Sequence, residues 1–200
     1  QGYLLDVSDR RHAGEERERL LAAERAAAAE ALDRQRKLDV LARASEILAS
    51  SPNYQAAIRR VADLTVRELA DWCVVDLLDD DGEATRLAAA HAGPGMPPGE
   101  APGPDCVLEI LEIAHRGKPD LSESRMCVPL RARGRTLGVL TLMTGSPGRS
   151  YGADDLAAAQ DLAGMMALAI DNARLTRDVV ESADAARVLT YVADGVVLVD

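Results

Sequence analysis

Residues 125–144 read RMCVPLRARGRTLGVLTLMT, and their pattern sets the fold class. Two apolar runs, Arg125 to Arg133 and Thr136 to Thr144, are joined around Arg133-Gly134-Arg135. A short glycine-bearing break between strand-like runs signals a hairpin. Upstream, Trp72 to Leu78 (WCVVDLL) reads as a strand, Asp79-Asp80-Asp81-Gly82 as a turn, and Thr85 to Ala92 as a second strand. The Gly- and Pro-rich residues 93–104 form a loop, and Asp105 to Arg116 a short helix closed by Gly117 and Pro119. Gly145 to Gly152 is a further loop.

Helices enclose this central part. Asp154 or Asp155 opens a long helix in which Leu156, Ala159, Ala163, Met166, Ile170 and Ala173 keep 3-4 spacing. No breaker interrupts it before about Arg187, so it spans about 50 Å at about 1.5 Å per residue. A domain of this size cannot cover that length, and the second half is expected to pair with something else. Residues 11–50 are also helical, and Leu20, Ala27, Ala31, Leu38, Leu41, Ser45 and Leu48 trace a seam that Glu24 and Arg34 weaken. It reads as a loose two-stranded coiled coil, with a solvated single helix as the alternative. Ser50-Ser51-Pro52-Asn53 ends that helix, and Asn53 is placed to cap the next, whose apolar face is Ile58, Val61, Ala62, Thr65 and Leu69. The order of elements predicts an α+β fold, an antiparallel sheet flanked by helices, with long helices at both ends. The stripe from Leu156 to Ala173 is expected to pack against Leu38, Leu41 and Leu48, and against the same elements of a second chain.

The ends read differently. Gln1 to Arg10 looks like the last strand of a domain whose body is absent, and Val188 to Asp200 like the first strand of another. The expectation is a slice through a longer multidomain protein.

The net charge of −10 argues against a nucleic-acid partner, whose phosphates call for a basic surface. No apolar run approaches the roughly 20 residues that span a bilayer. Cys73, Cys106 and Cys127 are odd in number and too far apart for a zinc knuckle or redox dithiol, and fit buried thiols of a reducing cytoplasm.

Three runs carry a family likeness. LADWCVVDLL (69–78), VPLRARGRTLGVLTL (128–142) and ALAIDNARL (167–175) resemble GAF domains of actinobacterial multidomain signalling proteins, over residues 38–176. Asp6-Val7-Ser8-Asp9 and Asp194 to Asp200 are similar to the closing and opening pieces of PAS domains. The resemblance implies the end of a PAS-like domain at 1–10, a coiled-coil linker at 11–37, a GAF domain at 38–176, a helical linker at 177–187 and the start of a PAS-like domain at 188–200. With the two long helices of heptad-like spacing that outrun the central domain, the expectation is a cytoplasmic, homodimeric sensor module that relays signals through helix packing. The output would be a histidine kinase of a two-component system, or a metal-dependent serine phosphatase, outside this chain. The alternative is a receptor domain for a small ligand or cofactor.

Asp76, His91, Cys106, Met126 and Thr141 are the candidate pocket residues. By alternation Val74, Asp76 and Leu78 share one strand face, as do Val139, Thr141 and Met143; such faces either line a pocket or pack helices. Family relatives carry a longer segment before the strand at Met126, where this chain has only Asp120 to Ser124, so an open or vestigial pocket is expected. The family's cyclic-nucleotide motif is absent, and Cys106 lacks the neighbours of a bilin-bearing cysteine; no cofactor is named. His12, His91 and His115 are scattered, and Asp6 with Asp9 reads as a junction device rather than a metal site. Ser122, Ser124, His91 and Asp76 sit in no nucleophile motif, so no catalytic residue is expected in this segment.

Overall fold

Short, largely apolar runs give the longer strands, and five strands pair into one antiparallel sheet in the order β2-β1-β5-β4-β3. The computed structural model describes residues 2–79, 83–92, 111–145 and 149–195, with side chains for 12, 14–79, 83–92, 111–145 and 149–176. Its elements are α1 (Gly2–Ser50), α2 (Tyr54–Glu68), β1 (Trp72–Leu78), β2 (Ala84–His91), α3 (residues 111–116), β3 (Asp120–Leu121), β4 (Arg125–Ala132), β5 (Arg135–Met143) and α4 (Ala153–Gly195). The α+β sheet flanked by helices is as the sequence predicts.

Local chemistry accounts for the boundaries. The Asn53 side chain accepts from the Ala56 N–H at 3.1 Å and caps α2. Asp155 Oδ2 accepts from the Gly152 N–H at 2.8 Å at the start of α4, where a carboxylate suits the helix dipole. Ala132 pairs with Arg135, so β4 and β5 are joined by Arg133 and Gly134 alone, at φ 47° and 81°. Both turn residues are left-handed, the geometry that matches the strands' own twist. Space is open beside Gly134, so Gly134→Ala should destabilise through the backbone alone, by about 1 kcal/mol. Chemical denaturation with an unchanged m-value checks this.

The chain divides into two units, residues 1–39 and 40–200. The first is helical from Gly2 onward, with Leu20, Leu32 and Leu38 all more than half exposed. Residues 2–10 therefore do not form the strand expected there. Without a sheet partner a strand leaves its backbone unsatisfied, whereas a helix bonds internally. Val188 to Gly195 is likewise helical, as the end of α4, and residues 196–200 lie outside the described residues.

In the second unit, α2 and α4 cover one face of the sheet. Ile58, Val61 and Val66 of α2 and Leu162, Met166 and Ile170 of α4 pack on Val75, Val128, Leu140 and Leu142. Leu41 and Leu48, near the end of α1, join this core partly buried, while Val40 packs with Leu64 and Leu69. Asp71, just before β1, accepts from the Thr144 hydroxyl at 2.9 Å and the Gly145 N–H at 2.8 Å, closing β1 onto the end of β5.

Candidate functional site

A strand sends alternate side chains to opposite faces. Cys73, Val75, Leu77, Met126, Val128, Leu140 and Leu142 all point to the helices. Val74, Asp76 and Leu78 of β1, Cys127 of β4, and Val139 and Thr141 of β5 therefore share the other face. There α3 lies over Leu78, Cys127 and Val139 through Ile113 and Ala114. The two strand faces that alternation singled out are thus brought together, with Cys127 added because it stands opposite Thr141.

Asp76 is the unusual member of this face. It is 4% exposed. The β1–β2 register slips between Val75 and Asp76, so that Val75 faces Ala88 while Asp76 faces Arg86. Such a bulge re-aims a side chain. Here it sets the Arg86 Nε 3.0 Å from Asp76 Oδ1, with Leu87 and Ala88 both still buried. Asp76 Oδ2 is buried with no hydrogen-bond partner. Leaving a buried acceptor unmade costs about 1–3 kcal/mol, more when it is charged. Thr141 is 3% exposed, and its hydroxyl donates only to the soft Cys127 sulfur, at 3.8 Å.

The other candidates fall elsewhere. Met126 pairs with Leu142 and belongs to the helix-facing core, one position out of phase with the Asp76 face. His91 is exposed and lies against Trp72, ring centroids 5.2 Å apart. Trp72 is four residues along β1 from Asp76, about 13 Å at strand rise, so His91 and Asp76 do not meet. Cys106 lies outside the described residues. Burial raises the Cys73 thiol to about 12, with Asp63 adding to the shift, so it stays a protonated core residue. Among the described residues no group of three His, Cys, Asp or Glu could hold a metal ion. Among them, too, no helix is long and apolar enough to cross a membrane.

The expected helix seam divides in two. Ala159, Ala163, Met166 and Ile170 are buried at 1% exposure or less, and Leu156 packs beside them; this stripe lies on the sheet of its own chain. Ala173 is half-buried and Leu38 is 61% exposed. At 3.6 residues per turn, Leu168 stands opposite that stripe, with Ala157, Gly164, Leu175 and the exposed Asp161 on the same side. Leu168 is 52% and Leu175 40% exposed. Ser45, Leu48 and Ala49 of α1 with Met165, Leu168, Ala169 and Asn172 of α4 line a groove of about 260 Å³ beside it. Helical spacing alone leaves the inward side of α4 open, because leucines stand on both sides of it, and contact with the sheet decides which side turns inward.

Two polar contacts tie α4 to one end of the sheet. Arg174 donates to the Leu78 carbonyl at 3.3 Å. Arg133, at the β4–β5 turn, places Nε 3.0 Å from Asp171 Oδ2. That oxygen lacks hydrogen-bond geometry, so the contact is an ion pair alone, and the exposed Arg133 keeps it weak.

Residues 54–172 match the family model described as GAF domain. No curated protein matches the chain. Three similar solved structures place the fold. The GAF domain of a putative sensor histidine kinase from Pseudomonas syringae pv. tomato is 17% identical, with TM-score 0.58, covering 76% of this chain and 99% of that one. The GAF domain from a phosphoenolpyruvate-protein phosphotransferase of Coxiella burnetii is 19% identical, with TM-score 0.59, covering 72% and 98%. Free methionine-R-sulfoxide reductase from Neisseria meningitidis, in complex with its substrate, is 16% identical, with TM-score 0.55, covering 70% and 91%.

Proposed function

The chain belongs to the GAF domain family, and from that premise we propose that it is a regulatory sensor and dimerisation module of a signalling protein. One observation carries the reading: α4 exposes Leu168 and Leu175, with small residues and Asp161 beside them, after its first face is already buried on the sheet. A helix that is apolar on both sides calls for a second cover. A second copy of the chain supplies it with matching chemistry, leucine beside small residues that let helix axes approach. Within the first unit, taken by itself, the exposed Leu20 and Leu38 with Ala27 and Ala31 between them form a stripe that Glu24 and Arg34 interrupt.

In this reading the sheet is the sensing body and α4 the output lever. Arg174 on the Leu78 carbonyl and Asp171 beside Arg133 couple the lever to the end of β1 and the β4–β5 turn. A shift of that sheet end biases one helix packing over another. The output such a module would control is a histidine kinase or a metal-dependent serine phosphatase. This segment itself carries out no catalysis.

Leu168→Cys tests the face. Under mild oxidation it should form a disulfide-linked dimer, while cysteine at buried Ala159 should not. Absence of the Leu168 cross-link would place the interface elsewhere. A second reading, receptor for a small ligand, is supported by the unpartnered Asp76 oxygen on the α3 side of the sheet.

A further inference from the structure

We infer that the edge strand β2 is a two-register element, built to slide by one residue along the far half of β1. On the turn side Leu78, Leu77 and Asp76 pair with Ala84, Thr85 and Arg86. Beyond the bulge Val75, Val74, Cys73 and Trp72 pair with Ala88, Ala89, Ala90 and His91, which leaves Leu87 with no ladder partner. Carrying the turn-side register straight on would set Leu87 opposite Val75, Ala88 opposite Val74, Ala89 opposite Cys73 and Ala90 opposite Trp72. Among the described residues β2 lies at the edge of the sheet, so no second neighbouring strand opposes the slide.

A slip of one residue normally turns a strand's whole apolar set to the wrong face. Here the run of alanines from Ala88 to Ala90 removes most of that penalty. Ala88 and Ala90 are buried and Ala89 is exposed. After the slide Ala89 faces the helices beside Cys73 while Ala88 and Ala90 turn away, so alanine replaces alanine. Leu87 already belongs to the helix-facing core, and opposite Val75 it stays there. The ladder also regains the residue that the bulge leaves out. The observed register is held by the Arg59 Nε, which donates to the Leu87 carbonyl at 3.3 Å, by the Ala92 N–H on the Asp71 carbonyl at 2.9 Å, and by His91 against Trp72. The slide takes His91 off Trp72 and moves the end of β2 by one residue, about 3.3 Å. Asp76 keeps Arg86, which lies on the turn side of the bulge. Arg59 stands on α2, so the register of β2 and the seating of that helix are linked.

The test is amide relaxation dispersion by NMR on the 200-residue chain, whose single tryptophan reports the far end of β2. A second register populated at about 1–10% should appear as millisecond exchange at Trp72 to Val75 and Leu87 to Ala92, with flat profiles at Asp76 to Leu78 and Ala84 to Arg86. Ala89→Lys keeps its charge in solvent in the observed register and would bury it in the other, so it should abolish the exchange and leave the main peaks in place. Ala88→Lys has the opposite preference, since the slide gives it the exposed place beside Val74. It should fold with the shifted register in the majority, read as loss of the Trp72–His91 ring contact and as nuclear Overhauser contacts between Ala89 and Cys73. Flat profiles with one set of peaks in the parent chain, exchange that survives Ala89→Lys unchanged, or an Ala88→Lys chain that unfolds would each overturn the inference.

Discussion

Ile170→Glu should lose the fold, and not only an interface. Ile170 is fully buried where α4 meets the sheet, within the main core. Glutamate there loses apolar burial and brings a carboxylate with no partner into a dry site. The expected cost is about 4 kcal/mol or more, among the largest a single change produces. For a chain of this size that lowers the melting temperature by at least about 10 °C. Thermal unfolding followed by circular dichroism reads it. Unchanged melting with altered self-association would mean that Ile170 faces a second chain and that α4 lies the other way round.

Gly138→Ala should be comparably severe for a different reason. Gly138 lies in β5 between Leu77 and Leu130, its partners on the two neighbouring strands. A Cβ there would come within 2.1 Å of the Asp76 carbonyl oxygen and 3.0 Å of the Leu77 Cα. Both are backbone atoms, so no side chain can turn aside, and β1 and β5 must separate. The penalty expected is about 3 kcal/mol or more, the upper end of overpacking effects. Urea denaturation measures it. A variant within 0.5 kcal/mol of the parent, on the order of an ordinary surface change, would show that the β1–β5 approach is looser than described.

The contrast between these sites shows what was legible in the sequence. The hairpin at Arg133-Gly134, the strand Trp72–Leu78 and the cap at Asn53 follow from local chemistry, and the structure has all three. Alternation also put Asp76 with Val74 and Leu78 correctly. What alternation lacks is the register between strands. The slip at Val75/Asp76 that makes Arg86 the partner of Asp76 leaves no signature in composition or spacing. Met126 fell on the wrong face for the same reason, since a strand pattern apolar on both sides does not say which parity meets the helices. The terminal segments show a limit of another kind. Apolar, β-branched runs such as Val188 to Val199 are read as strands by propensity, but propensity yields to context, and up to Gly195 the run is helical.

Sedimentation equilibrium of the 200-residue chain beside Leu168→Glu tests the outward face of α4 directly. Leu168 is half exposed in the single chain, so the substitution should leave the melting temperature of the fold nearly unchanged. The parent chain should sediment as a dimer, and Leu168→Glu as a folded monomer at the same concentration. A parent chain that stays monomeric at high micromolar concentration, or a variant that dimerises as tightly as the parent, would contradict the proposal that this face joins two copies.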